Sequence, residues 1–321
     1  MKPNKFFDSL SIKAGILAIL SLSGCIATTF PYMRAETAQR IASPAWMIKR
    51  DIPSTPYQLR AYERIHDKGS FANVYIEGDG AAYTSPKEWN DNPTPKNPVA
   101  LHLASRDLSD NVIYLARPCQ YTTGTDAGSN CTPAIWKESR YAQEAIASFN
   151  TALDEMASRY RISGFNLIGY SGGGGIAAIL AAQRTDILSI RTVAGILDHE
   201  VHTTMHGAEP LSDSLNPVDF AIELTKVPQY HFIAGQDNIV PPAILHSFLQ
   251  AMPPTQCTQT KFVQEAGYEE GWVEQWPALL ALPVTCRHGK SKTEMMRPAL
   301  GHKHPHAPAT MMGVKQKPAK P

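Results

Sequence analysis

Gly169-Tyr170-Ser171-Gly172-Gly173 is where residue types and spacing speak most directly of chemistry in this 321-residue chain. The stretch closes an apolar run, Phe165-Asn166-Leu167-Ile168, and opens a run of small residues from Gly174 to Ala182. A strand, a G-x-S-x-G pentapeptide and a helix in succession are the setting of a nucleophile elbow. The glycines permit strained angles and close approach, so that Ser171 projects its oxygen above a sheet. A helix starting behind the serine aims backbone N–H groups at negative charge developing on an acyl carbonyl. Ser171 is the expected nucleophile, and Gly172 an expected oxyanion donor through its backbone.

Two further segments converge on the same chemistry. Gln229 to Ala234 reads as a strand and runs into Gly235-Gln236-Asp237-Asn238-Ile239-Val240-Pro241, which puts a carboxylate in a loop after a strand. Asp237 lies downstream of the serine and suits the acid that steadies a protonated base. Earlier, Gly78-Asp79-Gly80 ends another apolar run in a flexible turn, and the backbone N–H of Asp79 or Gly80 is expected to face the same point as that of Gly172.

The elements that must hold these residues alternate. Gln58 to His66 and Phe71 to Ile76 read as a hairpin joined by Asp67-Lys68-Gly69. A helix follows from Pro98 to Ser105, a strand from Asn111 to Ala116, and a cysteine-containing loop from Pro118 to Trp136. Ala142, Ile146, Phe149, Leu153 and Met156 fall three or four apart, so a long helix with one buried face is expected over about 138–160. After the elbow come a strand near 190–196, an aperiodic excursion over 197–224, a helix over 242–252, a strand over 260–264 and a helix over 272–282. Such alternation implies an α/β fold, a mostly parallel sheet covered on both faces, with an antiparallel start. Ligand sites in these sheets lie at the carboxyl ends of the strands. Trp272 and Trp276, four apart, share a helical face suited to packing.

With these residues the chain resembles the α/β-hydrolase family over about 58–282, and in particular bacterial lipoprotein-type serine hydrolases. The stretches that carry the likeness are Val74-Tyr75-Ile76-Glu77-Gly78-Asp79-Gly80, Ala116-Arg117-Pro118-Cys119-Gln120-Tyr121 and Ser214-Leu215-Asn216-Pro217. The resemblance implies Ser171 as nucleophile, Asp237 as triad acid, and an oxyanion hole from the backbone of Gly172 with Asp79 or Gly80. It also implies a histidine in the loop after the last strand. Here that loop reads Glu265-Ala266-Gly267-Tyr268-Glu269-Glu270-Gly271-Trp272 and contains none. Glu270 is one substitute base; His202 and His206, from the excursion after the preceding strand, are others. The remaining reading is a degenerate hydrolase that binds a ligand or partner without turnover.

The amino terminus looks like an export signal. Lys2, Lys5 and Lys13 precede the apolar run Ala14 to Leu22, too short to span a bilayer. Leu22-Ser23-Gly24-Cys25 resembles a bacterial lipobox, whose cysteine is acylated and becomes the mature terminus. The expected organisation is a signal peptide over 1–24, a lipidated tether over 25–52, a hydrolase domain over 53–283 and a basic, apolar-poor tail over 284–321. Acyl chains on Cys25 would anchor the chain to the cell envelope, and Ile26 in the next position favours the outer membrane. Setting Cys25 aside leaves four of five cysteines, an even number in an oxidising compartment. Spacing favours Cys119 with Cys131 and Cys257 with Cys286. A formal charge of +1 gives no case for nucleic acid, and no metal or organic cofactor is expected. The expected function is hydrolysis of an ester, thioester or related acyl bond, on a small acyl substrate or a lipid.

Overall fold

The computed structural model describes residues 32–85, 88–122 and 131–286. Cys25, the expected signal peptide and residues 287–321 of the expected tail lie outside them. The frame is an eight-stranded sheet in the order β1-β2-β6-β3-β7-β8-β9-β10. Its strands are β1 (Ile48–Ile52), β2 (Leu59–Ile65), β3 (Ala72–Ile76), β6 (Asn111–Leu115), β7 (Phe165–Tyr170), β8 (Ile187–Val193), β9 (Gln229–Ala234) and β10 (Thr258–Val263). From β6 to β10 neighbouring strands are parallel, and β1 and β2 run antiparallel at one edge. A separate ladder joins β4 (Tyr83–Ser85) to β5 (Glu88–Trp89).

Alternation along the strands divides the core in two, because successive side chains point to opposite faces. Val74 and Ile76 of β3 pack with Phe149 and Leu153 of α3 (Gln143–Tyr160), Ile176 and Ile179 of α4 (Gly172–Gln183), and Phe248 of α6 (Pro242–Ala251). Tyr75, between them, faces the other layer. There it joins Ala38 and Ala42 of α1 (residues 32–42), Val99 and Leu101 of α2 (Val99–Ser105), and Trp272 and Trp276 of α7 (Trp272–Leu280). The two tryptophans are wholly buried, with Trp276 Nε1 donating to the Tyr75 hydroxyl at 3.0 Å.

Three expectations are corrected. The hairpin over 58–76 does not form: β6 lies between β2 and β3 and pairs with both. The turn residues after β2 instead wrap the start of β6. Asn111 Oδ1 accepts from the N–H groups of His66 and Asp67, and its Nδ2 donates to the carbonyls of Asp67 and Phe71. Second, residues 32–52 are not a tether. The α1 helix buries Ala38 and Ala42, Met47 and Ile52 are buried beyond it, and β1 makes a five-residue ladder with β2. Third, the aperiodic excursion contains α5 (His199–His206). Asp198 caps it by accepting from the N–H groups of Glu200 and Val201, and Asn216 ties Asp198 Oδ1 to the backbone of His199. Both expected disulfides are present, Cys119–Cys131 and Cys257–Cys286. The second ties residue 286 to the position just before β10.

Candidate active site

Ser171 stands between β7 and α4 with φ 51° and ψ −122°, a left-handed conformation that typically costs about 1–3 kcal/mol in a non-glycine residue. The surroundings hold it there. Its N–H donates to Val193 of β8, and its carbonyl accepts from Gly174 and Ile196. Gly169 and Gly173 make the turn possible by close approach, since a Cβ on residue 169 would overlap the backbone of Gly173.

The elbow also sits where the connections of the sheet diverge. From β3 the chain passes through α2 to β6 on one side, and from β7 through α4 to β8 on the other. Carboxyl ends at such a switch point leave a crevice. All the site residues described below, except Arg140 just before α3, sit in loops or elements that follow the carboxyl ends of the parallel strands.

The Gly78-Asp79-Gly80 turn follows β3 and reaches the elbow, with the Asp79 side chain against Gly172. A Cβ on residue 172 would overlap the Asp79 carboxylate. Arg117 Nη1 donates to Asp79 Oδ1 at 2.9 Å and Arg140 Nη1 to Oδ2 at 2.6 Å. Burial pushes the Asp79 carboxyl up, yet Arg140 and Arg117 together outweigh burial and hold it below its usual value. The Asp79 carboxylate thus gathers two guanidinium groups near the elbow, and positive charge is the sign that favours a developing oxyanion. Gln120 braces the turn by donating to Gly78 O at 2.9 Å while accepting from the N–H of Arg117.

Asp237 follows β9 as expected. Its Oδ1 accepts from Ile239 at 2.7 Å and Val240 at 2.9 Å, so it doubles as the cap of its own loop. Its Oδ2 is buried with no hydrogen-bond partner among the described residues. Burial raises the carboxyl, against the two backbone N–H groups, leaving it more basic than an ordinary aspartate.

The side chain hydrogen-bonded to the serine is a phenol. Tyr268, in the loop after β10, places its hydroxyl 2.7 Å from Ser171 Oγ. Its carbonyl accepts from the Tyr170 hydroxyl at 2.9 Å and from Trp272 Nε1 at 3.1 Å, and its ring lies 5.4 Å from that of Tyr170. Burial pushes the Tyr268 hydroxyl well above the usual phenol range, and the charges of Asp79 and Asp237 push the same way.

The other expected bases are elsewhere. Glu270, two residues on, is exposed and makes no hydrogen bond to Ser171. His206 is exposed and bonds the Ile239 carbonyl through Nε2 at 2.8 Å. His202 is nearer the centre. Burial pushes its imidazole down to about 4, despite the attraction of the Asp79 carboxylate, so it is neutral at pH 7. Its Nε2 is buried without a partner among the described residues. Sequence reasoning missed the roles of Arg117 and Arg140 and the partnership of Tyr268 with Ser171. The only signal for the last was the position of Tyr268 in the loop that lacks a histidine.

No protein-family model matches the chain, and no curated protein matches it either. Solved structures do. An esterase of Pyrococcus furiosus is 11% identical over 74% of this chain and 90% of its own, with a TM-score of 0.52. A bacterial membrane phospholipase A is 12% identical over 84% of this chain and 97% of its own, with a TM-score of 0.50. An acylaminoacyl peptidase of Pyrococcus horikoshii is 9% identical over 78% of this chain and 44% of its own, with a TM-score of 0.53. At such identities the likeness is one of fold, and the fold is that of the α/β-hydrolases.

Proposed function

We propose that this chain is a serine hydrolase of the bacterial cell envelope that cleaves an ester, thioester or related acyl bond through an acyl-Ser171 intermediate. The observation that carries the proposal is Ser171 itself, held at a positive φ on a strand-to-helix turn at the switch point of the sheet. Strain of this kind persists where the surroundings over-determine it, and it clusters at reactive sites. The guanidinium groups of Arg117 and Arg140 gathered on Asp79 support the same chemistry, with the backbone N–H of Gly172, and of Asp79 or Gly80, as the oxyanion donors of this reading. Fold likeness to an esterase and to a membrane phospholipase A points to acyl esters, lipids among them. The envelope placement rests on the lipobox-like Leu22-Ser23-Gly24-Cys25, and two disulfides suit an oxidising compartment.

Ligand binding without turnover is the second reading, favoured by one observation: a neutral phenol fills the seat of the base. Treatment of the full-length chain with a fluorophosphonate probe, beside Ser171→Ala, separates the two. Covalent labelling that disappears in the Ser171→Ala form is the expected result. A folded wild-type protein that takes up no probe belongs to the second reading.

A further inference from the structure

A serine hydroxyl needs somewhere to send its proton before it attacks a carbonyl. Among the described residues, the side chain that touches Ser171 Oγ is Tyr268, at 2.7 Å. A phenol held above its usual range is no general base, because it does not become a phenolate near neutral pH. It can, however, accept one proton while giving up another.

We propose that Tyr268 is a catalytic residue that relays the proton of Ser171 to Asp237, in place of an imidazole. The proposal rests on Ser171 being the nucleophile. Three features of the site converge on it. The Tyr268 hydroxyl is positioned, with its carbonyl fixed by Tyr170 and Trp272 and its ring packed on Tyr170. Asp237 offers an acceptor: Oδ1 is committed to two backbone N–H groups, whereas Oδ2 is buried and unpartnered. The Asp237 charge also bears on the Tyr268 hydroxyl. The two groups make no direct hydrogen bond, so the relay requires one bridging water between the Tyr268 hydroxyl and Asp237 Oδ2.

The step balances. As the Ser171 Oγ–C bond forms, the π pair of the substrate carbonyl moves onto its oxygen. The Ser171 proton passes to Tyr268 Oη while the phenolic proton passes to the bridging water and a proton of that water passes to Asp237 Oδ2, so Tyr268 and the water are both neutral before and after. When the intermediate collapses, the bond to the leaving alkoxide or thiolate breaks. Asp237 then returns a proton through the same water to Tyr268, which delivers its own to the leaving group. Water removes the acyl group from Ser171 by the same path.

The test is the second-order rate of fluorophosphonate labelling of the full-length chain, measured for wild type, Tyr268→Phe, Tyr268→His and Asp237→Asn, each checked for fold by circular dichroism. General acid–base catalysis is worth roughly 10²–10⁴-fold, so Tyr268→Phe should label at least about a hundredfold more slowly. Asp237→Asn should fall comparably, whereas Tyr268→His, which restores a proton acceptor at the same seat, should keep or exceed the wild-type rate. If Tyr268→Phe labels as fast as wild type or faster, the hydroxyl holds Ser171 back and the relay is overturned while the nucleophile stands. A folded wild type that does not label overturns both. Should Tyr268→Phe fail to fold, an undiminished rate in Asp237→Asn overturns the relay by itself.

Discussion

Glu77 sits one residue before the turn that meets the elbow, and its carboxyl is buried. Oε1 accepts from the N–H of Gly78 at 2.9 Å and weakly from that of Ala100, while Oε2 has no partner among the described residues. Burial raises this carboxyl to about 7, with the backbone N–H groups pulling the other way. A folded-state value above the unfolded one means that the folded protein holds the proton more tightly between about 4.5 and 7. This contribution to stability is full below about 4.5, is lost as pH rises through 7, and is then a constant penalty. By the relation between pKa and free energy, the penalty is of the order of 3 kcal/mol. Glu77→Gln keeps the shape and removes the charge, so its melting temperature should decline less from pH 5 to 8 than that of wild type. Parallel melting curves for the two across that range would show that Glu77 is not the titrating group. Ser171 and Asp237 were readable beforehand because each sits in a stretch whose local chemistry announces it: a serine among glycines after a strand, and a carboxylate in a G-x-D loop. Tyr268 was not readable as a partner, because a tyrosine in a loop carries no such signature. Its meaning comes from a meeting with a residue that the sheet alone brings close.

Secondary structure was legible where the signal was local, and strand partners were not. The β9 strand falls where alternation put it, and α3 buries the side chains that its spacing named. The misread hairpin shows the limit. Lys68-Gly69 does make a turn, but whether the strands on either side pair depends on β6, tens of residues later. The α5 helix was unreadable for a different reason: His199 to His206 has no apolar stripe, and capping by Asp198 and the Asn216 bond fix it instead. The largest consequence lies at the start of the sheet. Residues 32–52 complete its edge, and Arg50 there pairs with Glu63 and Glu155 at 2.6 and 3.0 Å. Met47 and Ile52 are buried, and such side chains contribute roughly 1.5–3 kcal/mol each. A chain beginning at Pro53 should therefore melt roughly 10 °C or more below one beginning at Tyr32, at about 2–4 °C per kcal/mol, or aggregate through the bared edge of β2. Equal melting temperatures and solubility would return residues 32–52 to the role of tether.

At the scale of the whole molecule, what must be decided is how such a chain would be held to a membrane. Among the described residues no helix is long and apolar enough to cross one, and a formal charge of +1 supplies little attraction to anionic lipid. In the proposed envelope setting attachment is assigned to Cys25 on its lipobox-like sequence. A single acyl chain binds only marginally, whereas two or more anchor firmly. Cys25→Ala, expressed with its native leader in a bacterium that processes lipoproteins, should move the protein from the membrane pellet to the soluble fraction. The wild-type amino-terminal peptide should carry the mass of acyl chains and the variant none. Helix α1 is already formed at residue 32, seven positions after Cys25. A chain anchored there would hold its active site close to the bilayer, where lipid acyl bonds are concentrated. Soluble Cys25→Ala should therefore keep its rate on a dispersed short-chain ester but lose rate on esters embedded in vesicles. A wild-type amino-terminal peptide without acyl mass would rule out lipidation at Cys25, and a variant that still pellets would rule out attachment through it. Equal rates on both substrates would instead separate the anchor from the choice of substrate.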